Sequence, residues 1–189
     1  MATALDVAGY IYRQCGWVDA WKLEKLLYFS QAWHLAWDGR PMFEDKFQAW
    51  IDGPVQPTVF RVNKYDRAGQ WSTELPGADP DALHPQAAAV VNAVLGFYAE
   101  LSKTDLVELS HEQPWRIARG PLPDDVPGNA EMSNTEIKRW YTSKVLRGEK
   151  DIPAQPAVQL TEIPHDVFMQ AAALEMERWK ETLRLLADR

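Results

Sequence analysis

The side chains able to do chemistry are few and scattered. Four histidines, His34, His84, His111 and His165, fall in separate stretches, and no two share a helix face. An imidazole metal site needs ligands at compatible spacing, so no metal or other cofactor is expected. His111-Glu112 lacks the second histidine of a zincin helix, and neither common glycine-rich phosphate loop occurs. Cys15 is the sole cysteine, which excludes an internal disulfide and thiolate-rich metal sites and favours a reducing compartment. As a nucleophile it would need a base such as His34 or His111 within reach; as a small buried hydrophobe it needs nothing. The carboxylate pairs Glu44-Asp45 and Asp124-Asp125 lie in loop-like sequence, where solvated surface is a simpler role than acid–base work. No enzyme activity is expected from these residues.

Charge narrows the partners. With 20 basic and 27 acidic residues the chain carries a net charge of −7, which opposes attraction to phosphate backbones and suits a basic protein partner better than a nucleic acid. Two local basic groups run against this balance: Arg61, Lys64 and Arg67 on one helix face, and Lys138, Arg139, Lys144, Arg147 and Lys150. Lys22 and Lys25 are expected on the polar side of their helix. Residues 1–14 lack the cationic start and apolar run of a signal peptide, and no stretch approaches the roughly 18 apolar residues of a membrane span. The expected location is cytoplasmic, with no membrane partner.

The elements that must position these groups are read from periodicity. Leu5, Ala8, Ile11 and Tyr12 predict a first helix over 4–15, stopped by Gly16. Asp19 is placed to cap a second helix, in which Leu23, Leu26, Leu27, Ser30, Trp33, His34 and Trp37 follow one face until Gly39 and Pro41 end it. A second stripe, Phe29, Ala32 and Ala36, predicts that this helix is contacted from several sides and is the centre of the fold. Phe47, Ala49 and Ile51 alternate as a strand, with Asp52-Gly53-Pro54 as a closing turn and 71–75 or 158–163 as the candidate partner strand. Pro57 opens another helix. Ala87, Val90, Val91, Val94, Phe97, Tyr98 and Leu101 form the clearest amphipathic stripe; Thr104 is placed to cap a short successor that Pro114 breaks. Ser133 and Glu136 have capping-box spacing at the head of a helix through Val145, and the last helix carries Phe168, Ala171, Ala172, Trp179, Leu183 and Leu186 on one face. Of the nine tryptophans, Trp21, Trp33, Trp37, Trp140 and Trp179 are expected in the core. Trp17, Trp50, Trp71 and Trp115 sit near turns or prolines, where packing is still the first expectation and a partner anchor the second. The fold class is thus mainly α: a single compact domain over 1–189 of about six to seven helices around a central Trp-rich helix, with a short strand or hairpin near 46–52. Its motif-bearing part covers about 19–119 and a less typical helical part about 130–189.

Three segments carry a resemblance. KLEKLLYFSQAWHLAWDGRPMF from Lys22, AWIDGPVQP from Ala49 and LVELSHEQPW from Leu106 occur in the order of the SocA-like, or Panacea-domain, family, which the chain resembles over about half its length. The resemblance implies an antitoxin of a bacterial or phage (prophage) toxin–antitoxin system that neutralises a cognate protein toxin by direct binding. It also implies a possible hand-over of the toxin to a cytoplasmic protease. Of the matching positions, Leu23, Leu26, Leu27, Tyr28, Trp33, His34, Gly53 and Pro54 are expected to be structural. Trp50, Asp52, Phe60, His111, Pro114 and Trp115 are expected at the toxin interface; Phe60 and Asp52 depart from the family pattern, which implies a partner different from those of better-known members. The competing readings are a hydrolase using His34 or His111 with a carboxylate, and a DNA-binding regulator, for which no helix-turn-helix segment is evident.

Overall fold

The computed structural model describes residues 2–157 and 165–187. They fall into two units, Met1–Ala157 and Val158–Arg189. In the first unit, α1 (Ala4–Cys15) opens on a reciprocal capping box between Thr3 and Asp6 and ends at Gly16, whose φ of 70° suits a residue without Cβ. Helix α2 (Ala20–Trp37) is capped by Asp19, which accepts the Lys22 backbone N–H at 3.0 Å. Every residue from Leu23 to Leu35 is buried. The pair of apolar stripes therefore describes a helix enclosed on all sides, packed against α1, α4 (Pro85–Tyr98) and α7 (Asn134–Leu146).

The core around α2 is aromatic. Trp33 donates its indole N–H to the Tyr98 hydroxyl at 3.1 Å and meets the Tyr141 ring edge-on at 5.0 Å, while Phe29 stacks on Tyr98 at 4.2 Å. Gln31, buried on the same helix, spends its amide on the chain that follows: Nε2–H donates to the Phe43 carbonyl at 2.9 Å and Oε1 accepts the Met42 N–H at 2.8 Å. A buried non-regular segment must find such partners, and one glutamine supplies both.

Strand β1 (Gln48–Trp50) pairs antiparallel with β2 (Gly53–Val55), in the register Gln48↔Val55, Ala49↔Pro54 and Trp50↔Gly53. The partner strand is thus the segment read as a turn. Of the two expected partners, 71–75 forms no strand and 158–163 lies outside the described residues. On its other edge β1 is bridged to the chain near Glu131, through Ala49 N–H to the Ala130 carbonyl and Met132 N–H to the Phe47 carbonyl. Two three-residue strands spanning a tight turn have too little periodicity to be recognised from alternation.

Helix α3 (Pro57–Arg61) passes into a π-helical turn at Val62–Asp66. Helix α5 (Lys103–Ser110) is capped by Ser102, two residues before the expected Thr104, because Ser102 and Asp105 form the capping box. Pro114 does not break a helix; it sits in the first turn of α6 (Gln113–Arg119), where its missing N–H costs nothing. Ser133 caps α7 as expected, but the reciprocal half of the capping box does not form; the Glu136 carboxylate pairs with Arg139 instead.

Tryptophan placement differs from the spacing-based expectation. Trp33 is buried and Trp37 and Trp140 are half-buried, but Trp21 is 44% exposed and Trp71 65%. Periodicity says which side chains align on a helix, not which side another element covers. In the second unit, α8 (His165–Ala187) carries Trp179, expected in the core and 54% exposed; its indole N–H donates to Glu175 one turn earlier at 3.2 Å. Phe168 and Ala171 of the same stripe are exposed, and the side chains of Leu183 and Leu186 lie outside the described residues. Among the described residues no helix is long and apolar enough to cross a membrane.

Candidate functional site

Three consecutive pieces of chain enclose a cleft of about 630 Å³. The first turns of α2 contribute Trp21, Glu24 and Lys25, which the helical repeat places on neighbouring positions of one face. The hairpin contributes Trp50, Ile51 and Asp52, and α3 with its π-turn contributes Phe60 and Lys64. The walls are fixed by contacts between these pieces. Trp50 and Phe60 meet edge-on at 4.9 Å, and the Trp21 indole N–H donates to Asp52 Oδ2 at 3.2 Å. Lys64 sits over the Phe60 ring at 5.2 Å and Lys103 over the Trp21 ring at 3.6 Å.

Beneath the walls lies a buried acid–base pair, Glu24 and Lys25. Lys25 is 0% exposed and donates from Nζ to the Pro54 carbonyl at 3.0 Å. Glu24 is 2% exposed; its Oε2 accepts the Gln56 N–H at 2.8 Å, and Oε1 has no hydrogen-bond partner. Burial pushes the Glu24 carboxyl up to about 8, against the Gln56 hydrogen bond and the nearby Lys25 charge. Burial pushes Lys25 down to about 8, against the Glu24 and Asp52 charges. Lys25 therefore does not lie on a solvated face; it ties α2 to the hairpin. Gly53 is what lets it in: φ there is 98°, and a Cβ would lie 2.5 Å from Ser110 Oγ and 3.0 Å from Lys25 Nζ.

Of the six residues expected at a partner interface, Trp50, Asp52 and Phe60 line this cleft together. Pro114 and Trp115 are buried, Trp115 at 1% exposure, with its indole N–H on the Trp50 carbonyl at 2.9 Å. His111 stacks on Trp115 at 3.9 Å, nearly parallel, and burial lowers its affinity for a proton. These three back the hairpin from behind. His34 is held by its Nδ1 at 2.8 Å from the Arg40 carbonyl, and burial favours the neutral ring, which donates there. Leu23, Leu26, Leu27, Tyr28 and Trp33 are buried along α2, and Gly53 and Pro54 form β2.

The two basic groups part company. In the later group, Arg139 pairs with Glu136, Lys144 with Glu112, Arg147 with Glu149, and Lys138 donates to the Gly39 carbonyl. In the earlier group Arg61 pairs with Asp66, but among the described residues Lys64 meets only aromatic faces and Arg67 bonds neutral oxygens of Asn63, Ser72 and Tyr12. Residue types alone gave no signal that Glu24, Lys25 and Lys64 belong to one site. The one available signal was Trp21, placed one helical turn before Lys25. Among the described residues, no group of three or more His, Cys, Asp or Glu side chains is arranged to hold a metal ion.

The structure is thus a helical scaffold with an aromatic cleft between its central helix and a short hairpin. Residues 23–116, about half of the chain, match the family described as Antitoxin SocA-like, Panacea domain. The Antitoxin SocA of Caulobacter vibrioides (strain NA1000 / CB15N) is 33% identical over 116 residues, 52% of this chain and 59% of that protein. The chain belongs to the SocA-like, Panacea-domain antitoxin family. Its match spans less than two thirds of the length of that curated relative. No solved structure matches the chain.

Proposed function

We propose that this protein is an antitoxin that neutralises a protein toxin by direct, stoichiometric binding in the cytoplasm, using the cleft between α2, the hairpin and α3. The observation that carries the reading is the meeting of Trp50, Asp52 and Phe60 in one cleft within the matched Panacea region. Aromatic walls on a pre-formed concavity suit a protein partner, because they bury large area with little loss of side-chain freedom. Neutralisation by occlusion asks for complementary surface and no reacting group. Delivery of the bound toxin to a cytoplasmic protease is a separable part of the reading.

The test is co-expression with the product of the adjacent reading frame. Growth rescue that saturates at a fixed molar ratio, with a complex that co-purifies, is the expected result. Rescue by substoichiometric amounts would instead indicate an enzyme reversing the toxin's effect and would overturn sequestration. Toxin half-life in protease-deficient cells, measured beside rescue, reads the adaptor role on its own.

A further inference from the structure

The cleft carries an excess of positive over negative side chains in an acidic protein. Lys64, Arg67 and Lys103 stand around it, and among the described residues none has a carboxylate within ion-pair distance, although the chain carries a net charge of −7. Of the two acids at the site, Asp52 is exposed and accepts the Trp21 indole N–H, one carboxylate against the three cations, and Glu24 is buried. The apolar part is continuous with further exposed aromatics. Gln70 lines the cleft, its carbonyl accepts the Trp17 indole N–H at 3.0 Å, and Trp17 meets the exposed Trp71 edge-on at 4.3 Å.

We infer that the cleft takes an acidic segment of the partner protein, in which an apolar or aromatic side chain enters between Trp21, Trp50 and Phe60 while flanking Asp or Glu side chains meet Lys64 and Lys103. This rests on the antitoxin reading and gives its partner's chemistry. It reverses, at this locus, the expectation from net charge that the partner is basic. Charge complementarity selects the occupant: a basic segment would meet three cations, whereas an acidic one relieves them. Lys64 and Lys103 already lie over aromatic faces, so a carboxylate approaching either ammonium completes a site whose cation is held in place by the ring rather than free in solvent. Glu24 does not oppose this arrangement, because it is 2% exposed and burial favours its neutral form. A single-stranded nucleic acid also combines rings with negative charge, but a long anionic strand needs many cations and the chain's net charge of −7 opposes it.

A random short-peptide phage library selected on the immobilised full chain tests this, with binding of the synthesised winners followed by fluorescence anisotropy at physiological salt. The expected winners carry an aromatic or large apolar residue flanked by Asp or Glu. Lys64→Glu with Lys103→Glu should weaken them by about tenfold or more, and Phe60→Ala should weaken them as well. The same charge-reversed double variant should bind peptides whose Asp and Glu are replaced by Lys, a gain that a misfolded variant would not show. Basic or neutral winners, winners indifferent to the double variant, no winners above background, or displacement of them by a single-stranded oligonucleotide would each overturn the proposal. Toxin rescue by the double variant separates the two readings: full rescue alongside any of those outcomes leaves the antitoxin standing and removes this cleft from it.

Discussion

The ammonium of Lys25 donates to the carbonyl of Pro54 across 3.0 Å, joining the central helix to the hairpin inside the core. This bond sets the depth of the cleft, because it fixes the distance between the helix that carries Trp21 and the strands that carry Trp50 and Asp52. It also places a cation next to Glu24, so that the base of the cleft contains two ionisable groups where most cores have none.

That pair gives stability a dependence on pH. Glu24 holds its proton in the folded state up to about 8 and loses it at ordinary carboxylate values when unfolded, so its contribution is full below about 4.5 and is lost as pH rises to 8. Lys25 has the opposite sign: it is deprotonated in the fold above about 8 and protonated in the unfolded chain to 10.5, so stability recovers over that range. Stability should therefore pass through a minimum near pH 8. Glu24→Gln should flatten the acidic limb, whose slope approaches about 1.4 kcal/mol per pH unit, in urea titrations across pH.

Gly53→Ala should destabilise the fold by about 1–3 kcal/mol. The new methyl meets Ser110 and Lys25 while the backbone sits at φ 98°. Adding Ser110→Ala removes only the nearer clash, so thermal unfolding of the double variant should show partial recovery and no more.

Trp115→Phe keeps the ring that stacks on His111 but deletes the N–H that reaches the Trp50 carbonyl. The expected loss is about 1 kcal/mol of stability, with partner affinity changed little. Trp50→Ala and Phe60→Ala should behave inversely, weakening partner binding by about 2 kcal/mol or more while leaving the unfolding midpoint within a few degrees. Calorimetric titration and thermal melts on the three variants separate the two patterns.

Glu112 joins α6 to α7, accepting the Trp140 indole N–H at 2.7 Å and pairing with Lys144. Glu112→Ala strands the indole donor and leaves the Lys144 ammonium only its longer pairing with Glu149 at 3.6 Å, and should cost about 1–3 kcal/mol. Glu112→Gln, which still accepts from Trp140, should recover part of the loss. Protection of α7 amides in hydrogen exchange reports the effect at its source.

Most helices and the family resemblance are legible in the residues alone, whereas the second strand of the hairpin is not. Asp19, Gly16 and Ser133 mark helix ends through their own backbone preferences, and the two stripes on 21–37 announce a helix buried on every side, because such signals act over a few residues. The mainly helical fold and the Panacea resemblance were legible for the same reason: both are written in contiguous segments. Which groups face each other follows from the packing of elements distant along the chain. Trp21 and Trp115 are alike as residues, yet one walls a cleft and the other lies buried behind a hairpin. Lys25 and Lys64 are both lysines on helical segments, yet one is enclosed by the folding of β2 against α2 and the other is left over an exposed ring. Burial, and with it the sign and strength of charge at the site, is a property of elements meeting across the chain, and no spacing along it encodes that meeting.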